Sequence, residues 1–494
     1  MPAPLDLAIV GAGAAGASVA YRMGRLRPGW SISLFESTRR VGGRLLSPRP
    51  PGVDGIRAEL GGMRFRTSQP NVMGLVDELA LEHRPFRTVD DRNLYFLRGT
   101  RFTPTDFGDP ERIPYRLDRK FLGQTPGDVL VGAFDVAVPG TLSLTAEDWA
   151  RVKREHMFKS RVLRDWSLGD LLRDIAGDEG YQLIADGFGY SNVFDVRSAA
   201  DAIPWMLIEL RPEEENRTLV EGMEQLPRGL AVRFEAGGGH IELGHRLTAL
   251  SPAGGSGDEA TYTLEFAGQP SVTAKRVVLA LPRSALEPLG WPLGGARFRD
   301  DLATTLTQLA AKLCLAYEIA WWRESGFGGL RSVTDLPLEK TYYWDRALDD
   351  TSTNGALVLA SYSDGPYREH WTAQADRRSV PIDRLPHDSP DRWPSYEPPP
   401  AMIEDAHRQL KTLHGRDDAP PPYAAAFIDW AWDPAGGAYS MWAPGARSWE
   451  VIPRMVQPDP DHAIYVCGES YSESQGWIEG ALETSTVVVE RLAG

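Results

Sequence analysis

Short apolar runs bounded by glycine or proline alternate along this chain with stretches whose apolar residues recur every three or four positions. That pattern predicts strands interleaved with helices. Leu7 to Val10 is a continuous apolar run, and past Gly11 the residues Ala17, Ala20 and Met23 take up helical spacing. A second run spans Ser31 to Phe35, and the proline- and glycine-rich residues 48–55 read as a loop. Asn71 to Leu81 puts Val72, Leu75, Val76 and Leu79 on one helical face, and residues 86–103 alternate as short strands. From 121 to 235 the pattern is largely helical. Ser167 stands at an N-cap before Leu168, Leu171 and Leu172, and a helix from Leu226 to Phe234 ends at Gly237.

Strand patterns return at His240–Leu243, Arg246–Leu250, Tyr262–Phe266 and Arg276–Leu281, then at Ala311–Ile319 and Gly355–Ser361. Residues 379–403 carry many prolines and charges and predict an irregular excursion. Ile403 to Leu413 reads as a helix, Ile464 to Val466 as a short buried strand and Gly480 to Leu492 as a closing helix. The first strand-turn-helix is thus followed by a long insertion, after which similar sheet pieces recur. The expected class is α/β: a discontinuous Rossmann-like domain (1–46, 236–305, 458–494), a mixed-sheet domain (47–120, 306–457) and a helical insertion (121–235).

The turn after the first strand carries chemistry. Gly11, Gly13 and Gly16 form a GxGxxG fingerprint. Gly11 permits the tight turn, Gly13 lets backbone approach a pyrophosphate, and Gly16 lets helix pack on strand. The helix start presents free N–H groups to an anion. Glu36 ends the second strand 20 residues after Gly16, where a carboxylate accepts hydrogen bonds from ribose hydroxyls. NAD(P) and FAD both fit this geometry. Arg44, after the glycine pair Gly42-Gly43, has a fork of donors suited to a phosphate, or is a surface arginine in a turn.

Composition narrows the partners. The formal net charge of −15 opposes nucleic acid binding. Hydrophobic residues at 42% and charged residues at 24% are ordinary for a globular chain, and no apolar run reaches the length of a membrane span. The fingerprint starts within the first dozen residues, which leaves no room for a secretory signal and predicts a cytoplasmic protein. Two cysteines, Cys314 and Cys467, provide no disulfide framework. The nine histidines show no metal-ligand spacing, His407 and His414 reading as a surface pair, so no metal is expected.

Taken together, Gly11 to Gly16 with Glu36, the run Arg40-Val-Gly-Gly-Arg44, Glu59 to Phe65, Gly222 to Pro227, Lys312, Gly468-Glu469 and Gly476 to Glu483 occur in an order that resembles the flavin-dependent amine oxidases, and within them the L-amino acid oxidases. The resemblance implies the amine oxidase fold and FAD. It places Gly11, Gly13, Ala14, Ala15, Gly16, Gly43 and Arg44 at the pyrophosphate region, Glu36 at the adenosine ribose and Leu247 at the adenine. It places Gly61, Gly62, Met63, Arg64, Gly476, Trp477 and Ile478 near the isoalloxazine, and Gly468 and Glu469 at the ribityl or phosphate region. Cys467 lacks the Ser-Gly-Gly-Cys setting that tethers flavin in one branch, so the FAD is expected to be non-covalent and Cys467 a small buried residue.

Arg64 is the principal substrate candidate. A guanidinium beside Gly61-Gly62-Met63 needs an anionic partner, and an amino acid's carboxylate provides one with fixed orientation. A salt bridge to Glu59 is the alternative. The family pattern adds a tyrosine from Tyr342-Tyr343, with Tyr343 chosen, and Lys312 near the reacting atoms as an aid to reoxidation by dioxygen. Trp477 and Trp442 are expected to line the pocket, with Trp205 and Trp430 as further candidates and Ala438 and Gly476 leaving room. The implied reaction is oxidative deamination of an L-amino acid, large or aromatic, to a 2-oxo acid, ammonia and hydrogen peroxide. An amide-forming amino-acid 2-monooxygenase, an amine or polyamine oxidase and a non-catalytic FAD-binding protein stay open. Asp345, Glu209 or Asp429 could instead receive a basic side chain. A homodimer through the helical insertion is expected.

Overall fold

The apolar run Leu7–Val10 forms the middle strand of a five-stranded, all-parallel sheet in a computed structural model of the chain. The described residues are 3–494 except 54, 212–213, 256, 290–294, 327–328, 345–354, 377–389 and 433. Across that sheet the order is His240–Leu243, Ile32–Glu36, Leu7–Val10, Val277–Leu279 and Ile464–Val466. Three stretches far apart in sequence therefore build one sheet. Its inner strands are covered on both faces, which is why they read as unbroken apolar runs rather than alternating ones. On one face lie the helices Ala14–Leu26, Gln225–Ala236 and Ile478–Ala493, sharing a core that includes Ile9, Leu34, Met23, Leu230 and Leu482. Against the other packs a three-stranded antiparallel sheet, Leu247–Gly254, Thr261–Phe266 and Gln269–Ala274, where Phe35 stacks on Phe266 at 4.7 Å. The loops leaving the carboxyl ends of the parallel strands (after Val10, Glu36, Leu279 and Val466) gather at one edge, the usual ligand edge of such a sheet.

A seven-stranded mixed sheet forms the second layer. Its order is Ala424–Asp429, Ala310–Tyr317, Ala356–Asp364, Lys340–Trp344, Arg331–Thr334, Leu94–Leu97 and Thr100–Phe102. Ala310–Tyr317 is buried along its whole length and puts Lys312 opposite Tyr362. The helical insertion holds Pro126–Ala137, Ala146–Glu155, Leu168–Phe188 and Ala199–Glu209, the third of these capped by Ser167, whose hydroxyl accepts from Asp170 N at 3.0 Å.

One expectation is refined and one changes here. Residues 121–235 are largely helical but include a strand, Asn216–Leu219, bridging Phe65–Arg66 and His83–Pro85. His407 and His414 are not a surface pair. His407 Nδ1 lies 3.1 Å from the Tyr317 hydroxyl, and His414 is buried with Nε2 2.6 Å from the Tyr343 hydroxyl. Burial pushes the His414 imidazole down to about 3, so it stays neutral around pH 7. Asp345 and residues 379–389 of the expected excursion lie outside the described residues.

Candidate functional site

A cavity of about 480 Å³ opens at the carboxyl edge of the parallel sheet. At one end Glu36, His245, Leu247 and Thr248 line it, and in the middle Gly13 meets Gly43, whose added Cβ would lie 3.0 Å from the Gly13 Cα. At the other end are Arg44, Gly62, Trp430, Ala438, Tyr439, Gly468, Glu469, Gly476, Trp477 and Ile478. The loop between the first strand and helix is held closed from two sides. Gly11 sits at φ +103°, where a Cβ would be 2.4 Å from the Ala280 carbonyl oxygen, and Glu36 Oε2 accepts from Ala12 N at 2.8 Å. The first N–H groups of the helix Ala14–Leu26 have no acceptor within the helix, and Ala14 and Ala15 face the cavity.

A long cleft with an acid at one end, unpaired N–H groups and glycine backbone in its middle, and aromatic rings at the other suits a dinucleotide that carries a planar ring system. The Trp477 indole N–H is buried without a hydrogen-bond partner among the described residues, leaving a donor at that end for a bound ring. Arg44 Nη1 donates to Glu469 Oε1 at 2.7 Å and to the Ala438 carbonyl at 3.1 Å, so this arginine clamps the C-terminal segment to the glycine loop rather than standing free.

Several expected cofactor residues stand behind the lining. Gly16 is a packing glycine, its added Cβ 1.8 Å from the Gly11 oxygen. Gly61 packs on the Arg44 backbone and Met63 is in the core. Neither cysteine reaches the cavity. Cys467 is buried, and burial pushes its thiol up to about 12.

Beyond Trp477 the chain assembles charge. The guanidiniums of Arg64 and Arg66 lie over the Trp477 ring at 5.7 and 4.0 Å, and both pair with Glu209, the last residue of the helix Ala199–Glu209. The Arg64 contact is the longer, 3.3 Å between Nη2 and Oε2. Two arginines thus share one carboxylate and leave one positive charge in excess. Burial opposes the charge on Arg64, but Glu209 together with the Tyr342, Tyr190 and Tyr362 hydroxyls outweighs it and holds the guanidinium above its ordinary pKa. Burial likewise opposes charge on Glu209, and Arg64 and Arg66 keep that carboxyl below its usual range.

Around this pair stand aromatic hydroxyls. Tyr190 lies 3.4 Å from Tyr342, oxygen to oxygen, and its ring contacts Tyr362 at 5.5 Å. Lys340 Nζ donates to the Phe188 carbonyl at 2.7 Å and sits 3.6 Å from the Tyr190 ring centre. Burial, then Arg331 and Arg64, hold it well below an ordinary lysine pKa.

Strand alternation corrects the tyrosine expectation. In Lys340–Trp344, Lys340 and Tyr342 share the face toward Tyr190, and Tyr343 points to the other. There its hydroxyl is 2.6 Å from Ser332 Oγ and 2.6 Å from His414 Nε2, away from Arg64. Lys312 is 3% exposed. Its ammonium donates to the carbonyls of Glu59 (3.1 Å) and Gly61 and faces the Tyr362 ring at 4.7 Å, one layer behind Gly62. Burial holds it below, and Glu59 above, their ordinary values.

Trp442 is a core residue packed near Tyr471 and does not line the cavity. Trp430 does, with its indole N–H on the Leu60 carbonyl at 2.8 Å. Trp205 donates to the Gln475 carbonyl at 3.0 Å and braces the turn before Gly476. Asp429 is closed off by Arg368 and Thr372, and Arg64 pairs with Glu209 rather than Glu59. Tyr190, Tyr362, Tyr439 and Lys340 were not foreseen, since nothing in a tyrosine's local sequence shows which distant ring it will meet.

Among the described residues no helix is long and apolar enough to cross a membrane, and no group of three or more His, Cys, Asp or Glu is placed to hold a metal. In structural comparison, putrescine oxidase bound to putrescine superposes with a TM-score of 0.71 at 18% identity, covering 99% of each chain, a likeness of fold. Among sequence relatives, aplysianin-A from Aplysia kurodai is 28% identical over 98% of this chain and 90% of its own. Achacin from Lissachatina fulica is 26% identical over 99% and 93%. An L-amino-acid oxidase from Echis ocellatus is 24% identical over 73% of this chain and 68% of its own. The model of the flavin containing amine oxidoreductases matches residues 14–493, so the chain belongs to that family and is a flavoprotein oxidoreductase whose cofactor is FAD.

Proposed function

We propose that this enzyme oxidatively deaminates L-amino acids with large or aromatic side chains to 2-oxo acids, ammonia and hydrogen peroxide, with dioxygen as acceptor. The carrying observation is Arg64. Its guanidinium lies over the ring of Trp477, which lines the aromatic end of the cavity, and is held by a long ion pair to Glu209 in a cluster with a net positive charge. An amino acid's carboxylate fits that surplus, whereas an amine or polyamine would bring a second cation to it. When bound, FAD supplies the two-electron acceptor. In this reading Glu36, the loop Gly11–Ala15, Gly43, Arg44, Gly62, Leu247, Gly468, Glu469 and Gly476–Ile478 hold it, within a domain of residues 1–46, 236–305 and 458–494.

The chain's own residues then have distinct tasks. Arg64 receives the carboxylate, and the Tyr342 hydroxyl adds a second donor from the face shared with Tyr190. Arg66 keeps Glu209 in place, so Arg64 stays extended when substrate competes for it. Trp477 and Tyr439 flank the side chain, with Ala438 and Gly476 giving it room. Lys312 keeps a fixed cation behind Gly62, where developing negative charge on reduced oxygen is stabilised. The lone pair of a neutral amine forms the C=N bond as the Cα–H leaves as hydride, which an ammonium cannot do, so kcat/KM rises with pH through the amine's titration.

The test is an assay of purified holoenzyme over the twenty L-amino acids for peroxide and 2-oxo acid in equal amounts. Amide and carbon dioxide in their place would establish the monooxygenase, and turnover of putrescine but not amino acids would overturn the reading. The tyrosines separate in the same assay. Tyr342→Phe is expected to lower kcat/KM about tenfold through the lost donor. Tyr343→Phe is expected to leave KM in place and cost about 1–3 kcal/mol in thermal unfolding, because Ser332 and His414 lose their shared partner. Equal kinetic effects from both would remove Tyr342 from the site.

A further inference from the structure

Just before the helix whose last residue, Glu209, pairs with Arg64, a second guanidinium is buried without an ion-pair partner among the described residues. Arg197 lies between the helices Ser191–Asp195 and Ala199–Glu209 and is 2% exposed. Its backbone is held on both sides, Leu168 N donating to its carbonyl at 2.7 Å and Ser198 N donating to the Trp442 carbonyl at 2.9 Å. Its side chain stacks on Trp205 at 4.4 Å, and its Nε has no hydrogen-bond partner among the described residues. No carboxylate among the described residues forms an ion pair with it. The nearest acid that acts on it, Asp201, is already engaged by Lys153 at 3.3 Å, Ser448 Oγ at 2.8 Å and Ser198 Oγ at 3.0 Å. Burial accordingly pulls the guanidinium down to about 10.

A buried charge without a partner is costly, and this one is linked to the cavity through two aromatic side chains, Trp205 and Tyr439. Trp205, the ring it stacks on, braces the turn before Gly476 through Gln475. Tyr439, which lines the cavity, is the other group in its field, and its ring is 3.5 Å from where a Gly476 Cβ would stand. Two other acids act on Tyr439, Asp364 and Glu339, and would suit a cationic side chain. Both are engaged by backbone, Asp364 N donating to Glu339 Oε2 at 2.8 Å and Asn192 N to Asp364 Oδ1 at 3.2 Å. Among the described residues Arg197 has no ion-pair partner of its own.

We infer that Arg197 is the specificity residue for the distal end of the substrate, receiving an anionic group, so the favoured substrate is an L-amino acid whose side chain ends in a carboxylate. This rests on the L-amino acid reading of the Arg64 site and sets an acidic side chain in place of the large or aromatic one. One carboxylate goes to Arg64, and the second passes between Trp477 and Tyr439 toward Arg197.

The experiment compares holoenzyme with Arg197→Gln and Arg197→Lys. The substrates are L-glutamate, L-2-aminoadipate, L-norleucine and L-lysine, with thermal shifts by glutarate and hexanoate as a readout independent of turnover. The expected result is a kcat/KM ratio of the better acidic substrate to norleucine of about ten or more. That ratio should fall at least about tenfold in Arg197→Gln and be partly kept in Arg197→Lys, with the glutarate shift lost only in Arg197→Gln. An unchanged ratio and glutarate shift in Arg197→Gln would overturn the assignment, as would a preference for L-lysine, which would point to Asp364 and Glu339 instead. If no L-amino acid is oxidised the parent reading fails, and the glutarate shift still decides whether Arg197 binds a carboxylate.

Discussion

Replacing Arg64 with methionine is expected to lower kcat/KM for L-amino acids by about 10²–10³-fold, corresponding to roughly 3–4 kcal/mol of lost charge-assisted binding. The fold should survive the change. Glu209 holds its closer contact with Arg66, so the substitution does not leave a buried carboxylate alone. The reverse substitution, Arg66→Met, strips Glu209 of that closer partner and is expected to cost more in thermal stability than in substrate recognition. Steady-state kinetics on both variants, with thermal unfolding alongside, separate the two roles. A change of less than threefold in kcat/KM for Arg64→Met would show that the carboxylate is bound elsewhere.

The other large effect is expected at Gly16. Inside a helix, glycine to alanine ordinarily gains about 1 kcal/mol from propensity. Here the sign should reverse. The new Cβ would lie 1.8 Å from the Gly11 carbonyl oxygen and 3.1 Å from the Ala280 Cβ, so helix and strand must separate. Gly16→Ala is expected to destabilise by about 3 kcal/mol or more, and Gly16→Val to yield protein without bound flavin. Gly29→Ala is the control. Nothing lies within 4 Å of its added Cβ, and stability should stay within about 0.5 kcal/mol. Flavin content per chain and thermal unfolding read both. Full flavin occupancy in Gly16→Val would mean that the loop does not need the close approach.

The cofactor side of the site was more legible than the substrate side, and the reason is locality. Gly11, Gly13 and Glu36 act through their own turn and strand end, so their spacing along the chain is their spacing in space. The substrate side is assembled across distance. Arg64 finds Glu209 from the helical insertion, and Tyr342 finds Tyr190. Tyr343 turned out to serve Ser332 and His414 because strand alternation sends neighbours to opposite faces, and only the position of the neighbouring layers says which face looks at the cavity. Glycines misled in one respect. Gly61 carries the signature of cofactor contact, yet its missing side chain makes room for the Arg44 backbone, whereas Gly16 serves the helix-on-strand packing read from its place in the fingerprint.

From the residues alone came the parallel-sheet start, the discontinuous return to that sheet, the dinucleotide turn with its acid, and a guanidinium beside the Gly61-Gly62 pair. These follow from periodicity, glycine sterics and the cost of an isolated charge, all of which act within a few residues of chain. Tertiary structure alone decided that Arg64 and Arg66 share one carboxylate, that Lys312 stands behind Gly62, that Trp442 is core and Trp430 lining, and that Arg197 is buried with no ion-pair partner among the described residues. Those are properties of which segments meet, and the meeting is governed by packing of two sheets and a helical insertion whose contacts span hundreds of residues.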